Sequence, residues 1–210
     1  MVLCIGIDPS LNSTGICLVN YDPSIDEEEG IHFGIIHSDK LTKKESKSEE
    51  KYQDIFKYYI VEGLPKNAAK LLEVDKFEYL KTIKFKSIVD TIKEIIHLSI
   101  YNYSYNSIYV CIEGISYGST RQTKSVFDLA GLNYMIRMML LNSFKDEINL
   151  IIAPPTHVKK FATGKGNANK DEMIEAFKIA FPNIDLPKLD DIADAFFMKE
   201  MAKKEANNNC

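Results

Sequence analysis

Two unbroken apolar runs, Val2 to Ile7 and Ile108 to Ile112, each end in a carboxylate, Asp8 and Glu113, and this repetition limits the possible folds. Short apolar runs of this kind read as buried strands, so each acid sits at a strand terminus where the backbone holds it still. Pro9 follows Asp8 and biases it toward an extended backbone. A third acidic group, Asp190, Asp191 and Asp194, opens a helical pattern near the C-terminus. Spacings of three and four both bring side chains to one helix face, so either Asp190 or Asp191 can pair with Asp194, and acids there also suit the positive end of a helix dipole. Small Ala193 and Ala195 beside Ile192, Phe196 and Phe197 mark a helix packed closely on a sheet, which would carry its acids toward the strand ends. Two unit charges about 4 Å apart repel by roughly 4 kcal/mol at an effective dielectric near 20, so converging carboxylates call for protons or divalent cations. Oxygen-only donors select a hard cation, and Mg²⁺ is the expected one.

The remaining pattern supplies a scaffold. Val2 to Asp8, Gly15 to Asn20 and Ile31 to His37 read as a meander of three strands, with Asp22, Pro23 and the acidic run Asp26 to Glu29 in the turn before the third. Phe85, Ile88, Val89, Ile92, Ile95 and Ile96 follow a helical stripe over Lys84 to Ile100. A strand Ile108 to Glu113, a helix from about Thr123 to Asn142 and a strand Asn149 to Ala153 come next, the last ended by Pro154 and Pro155. Helices over about Asn169 to Phe181 and Leu189 to Lys204 close the chain. A meander followed by strands alternating with helices describes an α/β chain with a mixed five-stranded sheet, three antiparallel strands then two parallel, and helices on both faces. This arrangement resembles the RNase H-like fold, which would place Asp8 close to Glu113. The expected organisation is one RNase H-like domain over residues 1–210, with a charged, partly helical insertion at about 38–81. Within it, Lys40 to Lys51 is expected to be mobile and solvated, and Tyr52 to Val61 to be helical.

At 210 residues and 45% hydrophobic content the chain can bury a substantial core. Met1 to Ile7 is too short for a secretory signal, and Arg137 interrupts the apolar run Leu132 to Leu141, so a soluble, intracellular protein without membrane contact is expected. Cys4, Cys17, Cys111 and Cys210 show no paired close spacing, which argues against zinc and against a disulfide framework. A net charge of −4 argues weakly against a nucleic-acid partner, yet Thr156 to Lys170 carries Lys159, Lys160, Lys165 and Lys170 with no acid. Gly114 to Phe127 likewise carries Arg121 and Lys124 and no acid. Ser10, Ser13, Thr14 and Gly15 after Asp8 could form a polar turn facing a phosphate.

Four stretches resemble the RuvC-type Holliday junction resolvases: Gly6 to Gly15, Ile112 to Glu113, Val158 to Lys170 (VKKFATGKGNANK) and Asp191 to Ala195 (DIADA). The third is the most specific, through its Lys-Lys, Gly-x-Gly and terminal Lys spacing. The resemblance implies that Asp8, Glu113, Asp191 and Asp194 are metal ligands for two Mg²⁺ ions, with Mn²⁺ as a substitute, and that Lys159 and Lys170 lie near the scissile phosphate. It implies a structure-selective endonuclease that nicks four-way junctions symmetrically as a homodimer, with no nucleotide cofactor. The helix carrying Met135, Met138, Met139 and Leu140 is the candidate dimer surface. Bacterial members carry an aromatic wedge just after the second acid; Ser116 stands at the matching position here and Tyr117 follows it. Tyr117 would then stack on a base at the junction centre, a contact worth roughly 1–3 kcal/mol for single-stranded bases. Arg121, Lys124, Lys160 and Lys165 complete the expected DNA contacts. The rival readings are a ribonuclease H acting on RNA–DNA hybrids, a catalytically idle junction-binding module, and an actin-like kinase. The kinase would share the Asp8 to Gly15 turn but needs a second phosphate loop that the chain lacks.

Overall fold

The computed structural model describes residues 1–102, 105–115 and 124–209. Strands β1 (Val2–Asp8), β2 (Ser13–Asp22) and β3 (Glu27–His37) form the expected antiparallel meander. Helix α1 (Lys43–Lys51), strand β4 (Phe56–Ile60) and helices α2 (Ala68–Leu71) and α3 (Val74–Asn102) follow. Then come β5 (Ser107–Glu113), α4 (Lys124–Phe144), β6 (Ile148–Ala153), α5 (Pro155–Thr163), α6 (Lys170–Ala180) and α7 (Leu189–Asn208). The strands lie in the order β4-β3-β2-β1-β5-β6. Helices α5, α6 and α7 cover one face of the sheet and α3 and α4 the other. Residue alternation divides β1 between the two faces: Val2 and Cys4 point toward α7, whereas Leu3, Ile5 and Ile7 point toward α3 and α4. No helix among the described residues is long and apolar enough to cross a membrane.

Four expectations need correction. The sheet has six strands rather than five, because Phe56–Ile60 is a strand and not a helix. It pairs in parallel with β3, placing Phe33 opposite Phe56. Phe56 and Tyr58 are buried while Lys57 between them is exposed, an alternation that overrides the helical spacing of Tyr52, Ile55 and Tyr59. Next, the charged run expected to be mobile is helix α1, started by a capping box in which Thr42 and Glu45 satisfy each other's backbone N–H groups. It supplies the crossover that a parallel β3–β4 pair requires.

Helix α3 begins at Val74, ahead of the expected start at Lys84, because its buried stripe continues through lysines. Lys81 is buried against Asp128 at 2.7 Å and Glu78 at 2.6 Å, and Lys84 donates to Asn12 at 2.8 Å. Paired cations of this kind interrupt an apolar pattern without interrupting the helix. Finally, Pro154 and Pro155 end β6 as expected, but Pro155 also starts the unexpected helix α5. Proline at the first helical position loses no hydrogen bond and already has the right φ.

A carboxylate rim at the strand ends

Parallel pairing sets Ile7 opposite Ile112, so the ends of β1 and β5 carry Asp8 and Glu113 side by side. Both acids share the parity of residues that face α7: Cys4 in β1, and Tyr109 and Cys111 in β5. Helix α7 lies directly over them because the sheet beneath it lacks side chains at two points. A Cβ on Gly6 would stand 1.9 Å from the Ala195 carbonyl oxygen, and one on Gly15 would stand 2.4 Å from the Asp191 carbonyl oxygen. Gly15 is also the β2 partner of Asp8, so the first turn of α7 is seated over the end of β1. The far half of the helix is anchored as well. The fully buried Lys199 pairs with Glu28 at 3.1 Å and with Glu200, and Tyr21 donates to Asn207.

This docking gives Asp190 and Asp191 different partners. Asp191 accepts a hydrogen bond from Ser13 at the start of β2, whereas Asp190 turns to the exposed Lys170. Asp194 acts electrostatically on Glu113 and on Asp8. Asp191 is therefore tied to the start of β2 and Asp194 acts on both strand-end acids, while Asp190, which also acts on Asp8, is held by Lys170.

The four carboxyls are perturbed together. Burial, then the neighbouring Glu113, Asp194 and Asp191, holds Asp8 well above the usual carboxylate range. Burial and Asp194 push Glu113 up to about 7, with Lys159 opposing. Burial and the adjacent Asp191 push Asp194 up to about 6, again opposed by Lys159. Burial also raises Asp191, against the Ser13 hydrogen bond. Because they are half-buried like charges with oxygen-only donors, these residues suit a divalent cation. Among the described residues, no group of three acidic, histidine or cysteine side chains is drawn tightly enough together to be a formed metal cage. The acids ring the rim without converging on one point.

A stability consequence follows. Glu113 and Asp194 bind protons more tightly folded than unfolded, so the folded chain holds extra protons between their ordinary values and about 7 and about 6. Their contribution is fully favourable below pH 4 and is lost as pH rises through those folded values. In a chelating buffer, the denaturant midpoint should fall between about pH 4 and pH 7, and Glu113→Gln should flatten the decline. A midpoint that rises across that window in the native chain, unchanged in the variant, would contradict the coupling.

The basic residues divide. Lys159, on α5, lies close enough to act on both Glu113 and Asp194. Lys160 is exposed, Lys165 pairs with Glu172 at 2.8 Å, and Lys170 is ion-paired with Asp190 while also acting on Asp191 and Asp194. Lys124 is described only as the first residue of α4, while Tyr117, Arg121 and Cys210 lie outside the described residues. The other three cysteines are free and buried in the sheet. In the polar turn after Asp8, the hydroxyls of Ser13 and Thr14 are engaged within the protein. Thr14 is fully buried and bonds Ser10 in both directions, and Ser13 is taken by Asp191. Sequence reasoning missed the clamp of Ser13 on Asp191, although Ser13 shares strand parity with Gly15. It also missed Asn133, which donates to the Glu113 carbonyl oxygen at 2.8 Å. Its signal is a polar residue in the apolar helical row of α4.

No protein-family model matches the chain, and no curated protein matches it in sequence. Solved structures do. The Thermus thermophilus RuvC structure matches at a TM-score of 0.51 with 13% identity, covering 98% of this chain and 97% of that one. T. thermophilus RuvC in complex with a Holliday junction substrate matches at a TM-score of 0.52 with 12% identity, covering 99% and 98%. The resemblance read from the sequence thus extends to the whole fold, which is RNase H-like as expected.

Proposed function

We propose that this chain is a metal-dependent, structure-selective DNA endonuclease that resolves four-way junctions by paired symmetric nicks. The carrying observation is that Asp8, Glu113, Asp191 and Asp194 stand along one rim, all raised by burial, with Asp8, Glu113 and Asp194 raised further by acids of that same set, on a fold shared with RuvC. Branched DNA as the ligand is supported by the fold match to T. thermophilus RuvC in complex with a Holliday junction substrate.

The residues that would hold Mg²⁺ or Mn²⁺ are those four carboxylates, and such ions would supply Lewis-acid activation of water and neutralisation of charge on the phosphate. The protein's own contributions are positional and electrostatic. Ser13 fixes the Asp191 carboxylate, the Asn133 amide fixes the Glu113 backbone, and the α7 docking fixes Asp194. Lys159 brings a cation to the acids and would offset charge accumulating on the phosphate during displacement. Lys170 would reach the phosphate only by leaving Asp190.

Two symmetric cuts suit a two-fold dimer. Of the expected apolar surface on α4, Leu140 belongs to the core and Met135 and Met139 are partly buried against it. Phe127, Tyr134, Met138 and Leu141 are the exposed large hydrophobics there, and they are the surface we assign to the partner protomer.

The test is cleavage of a labelled synthetic four-way junction with Mg²⁺ and Mn²⁺ in parallel, against an RNA–DNA duplex. Paired nicks in the junction are expected; cleavage confined to the hybrid would make the chain a ribonuclease H, and metal-independent binding without nicking would make it an idle binder. Lys159→Ala should slow nicking by about 10²–10³-fold, the loss typical of one preorganised transition-state contact. Its junction affinity at fixed salt should change far less, since one phosphate contact alters the salt slope by only about 0.9.

A further inference from the structure

Asn133 and Arg137 stand one turn apart on α4, and each leaves a buried polar atom without a partner among the described residues: Asn133 Oδ1 and Arg137 Nε. Asn133 is only 3% exposed, and its Nδ2 is committed to the Glu113 carbonyl oxygen, so the free atom is an acceptor. Buried orphans of this kind cost stability unless something supplies the missing bond.

They line two adjoining hollows of about 200 and 470 Å³, Asn133 the smaller and Arg137 the larger, which share Gly114, Ile115 and Pro155. The smaller hollow is also lined by Pro9 and Glu113, so it abuts the strand ends that carry the carboxylates. Its other walls, Val126 and Leu129, are apolar. An acceptor and a donor set between apolar walls match a flat heteroaromatic ring, whose edge offers N–H groups beside ring acceptors and whose faces are apolar. A phosphate fits worse, because the Asn133 oxygen would oppose its oxygens.

We propose that this groove receives one unstacked nucleobase of the strand being cut. A base N–H donates to Asn133 Oδ1, and a base acceptor takes the Arg137 Nε–H. The inference rests on the nuclease reading for its DNA and adds to it a source of base preference at the cut.

The test uses the full chain and four-way junctions carrying 2-aminopurine at one branch-flanking position at a time, in Ca²⁺. At one position, binding should raise the fluorescence severalfold, as unstacking does, and Arg137→Met should remove most of that rise. Arg137→Met is the deciding variant because it spares the Asn133 bond to Glu113; Asn133→Ala disturbs that strand end directly. In Mg²⁺, nicking rates across junctions differing only at that nucleotide should spread by about tenfold in the native chain and collapse to within about threefold in Arg137→Met. Nicking with no base preference, or with a preference that Arg137→Met leaves intact, overturns the pocket and leaves the nuclease standing. A chain that neither binds nor nicks junctions overturns both.

Discussion

Asp194→Asn is expected to bind a four-way junction in Ca²⁺ as tightly as the native chain and to lose nicking in Mg²⁺ by at least about 10³-fold. That loss lies at or beyond the upper limit for deleting one neutral transition-state donor, because a charged ligand is removed and the shape is kept. Shape is kept because asparagine fits the same half-buried place in the second turn of α7, where Asp194 acts on Glu113 and is acted on by Lys159. Affinity should hold or rise, since the variant removes a negative charge from a surface that must receive phosphates. The electrostatics offer a second readout. Asp194 is the largest charge acting on Glu113, so Glu113 should titrate closer to the ordinary glutamate range in the variant, which a carboxyl NMR titration would report. Nicking within about threefold of the native rate would remove Asp194 from the site, and a Glu113 titration left unchanged would mean the two acids do not face each other.

Gly6→Ala is expected to be the most damaging single methyl group in the chain. The added Cβ would stand 1.9 Å from the Ala195 carbonyl oxygen and 2.4 Å from the Lys199 backbone nitrogen, and neither helix backbone atom can turn aside. Either α7 lifts from β1 or the strand bends, so a cost of about 3 kcal/mol or more is expected, at the top of the usual overpacking range. For a chain of this length that is a Tm drop on the order of 6–12 °C. Lifting α7 also carries Asp191 and Asp194 away from Asp8 and Glu113, so nicking should fall along with stability. Gly131→Ala in helix α4 is the internal control, because its Cβ would meet only Phe85 at 4.0 Å. It should be neutral or stabilising by about 0.5–1 kcal/mol, as alanine replaces glycine in a helix interior. Equal melting temperatures for the two variants would show that α7 does not press on β1 as closely as described.

The two predictions share one cause. The acids on α7 reach the strand ends because Gly6 and Gly15 let the helix backbone sit directly on the sheet. Lys199 and Asn207 hold the other end of the same helix in place.

Sequence by itself determined the elements with strong periodicity: the β1–β2–β3 meander, the apolar half of α3, the strand β5 and the helix that became α7. It also singled out Asp8 and Glu113 as acids at strand ends, because a carboxylate that ends an apolar run is conspicuous in one dimension. Local pattern failed where local signals conflicted or were masked. Tyr52 to Ile60 carries both helical and alternating spacing, and only the open edge of β3 selected the strand. The lysines at 81 and 84 hid the first turns of α3 because their partners, Asp128 and Asn12, are remote in sequence. The charges divide in the same way. Asp190 and Asp191 are adjacent and chemically alike, yet Lys170 takes one and Ser13 the other, a separation made by the docking angle of α7. Residue type and spacing can say which groups are able to bind a cation or a phosphate; which of them meet depends on long-range packing, because the helix and both strands contribute across more than a hundred residues of chain.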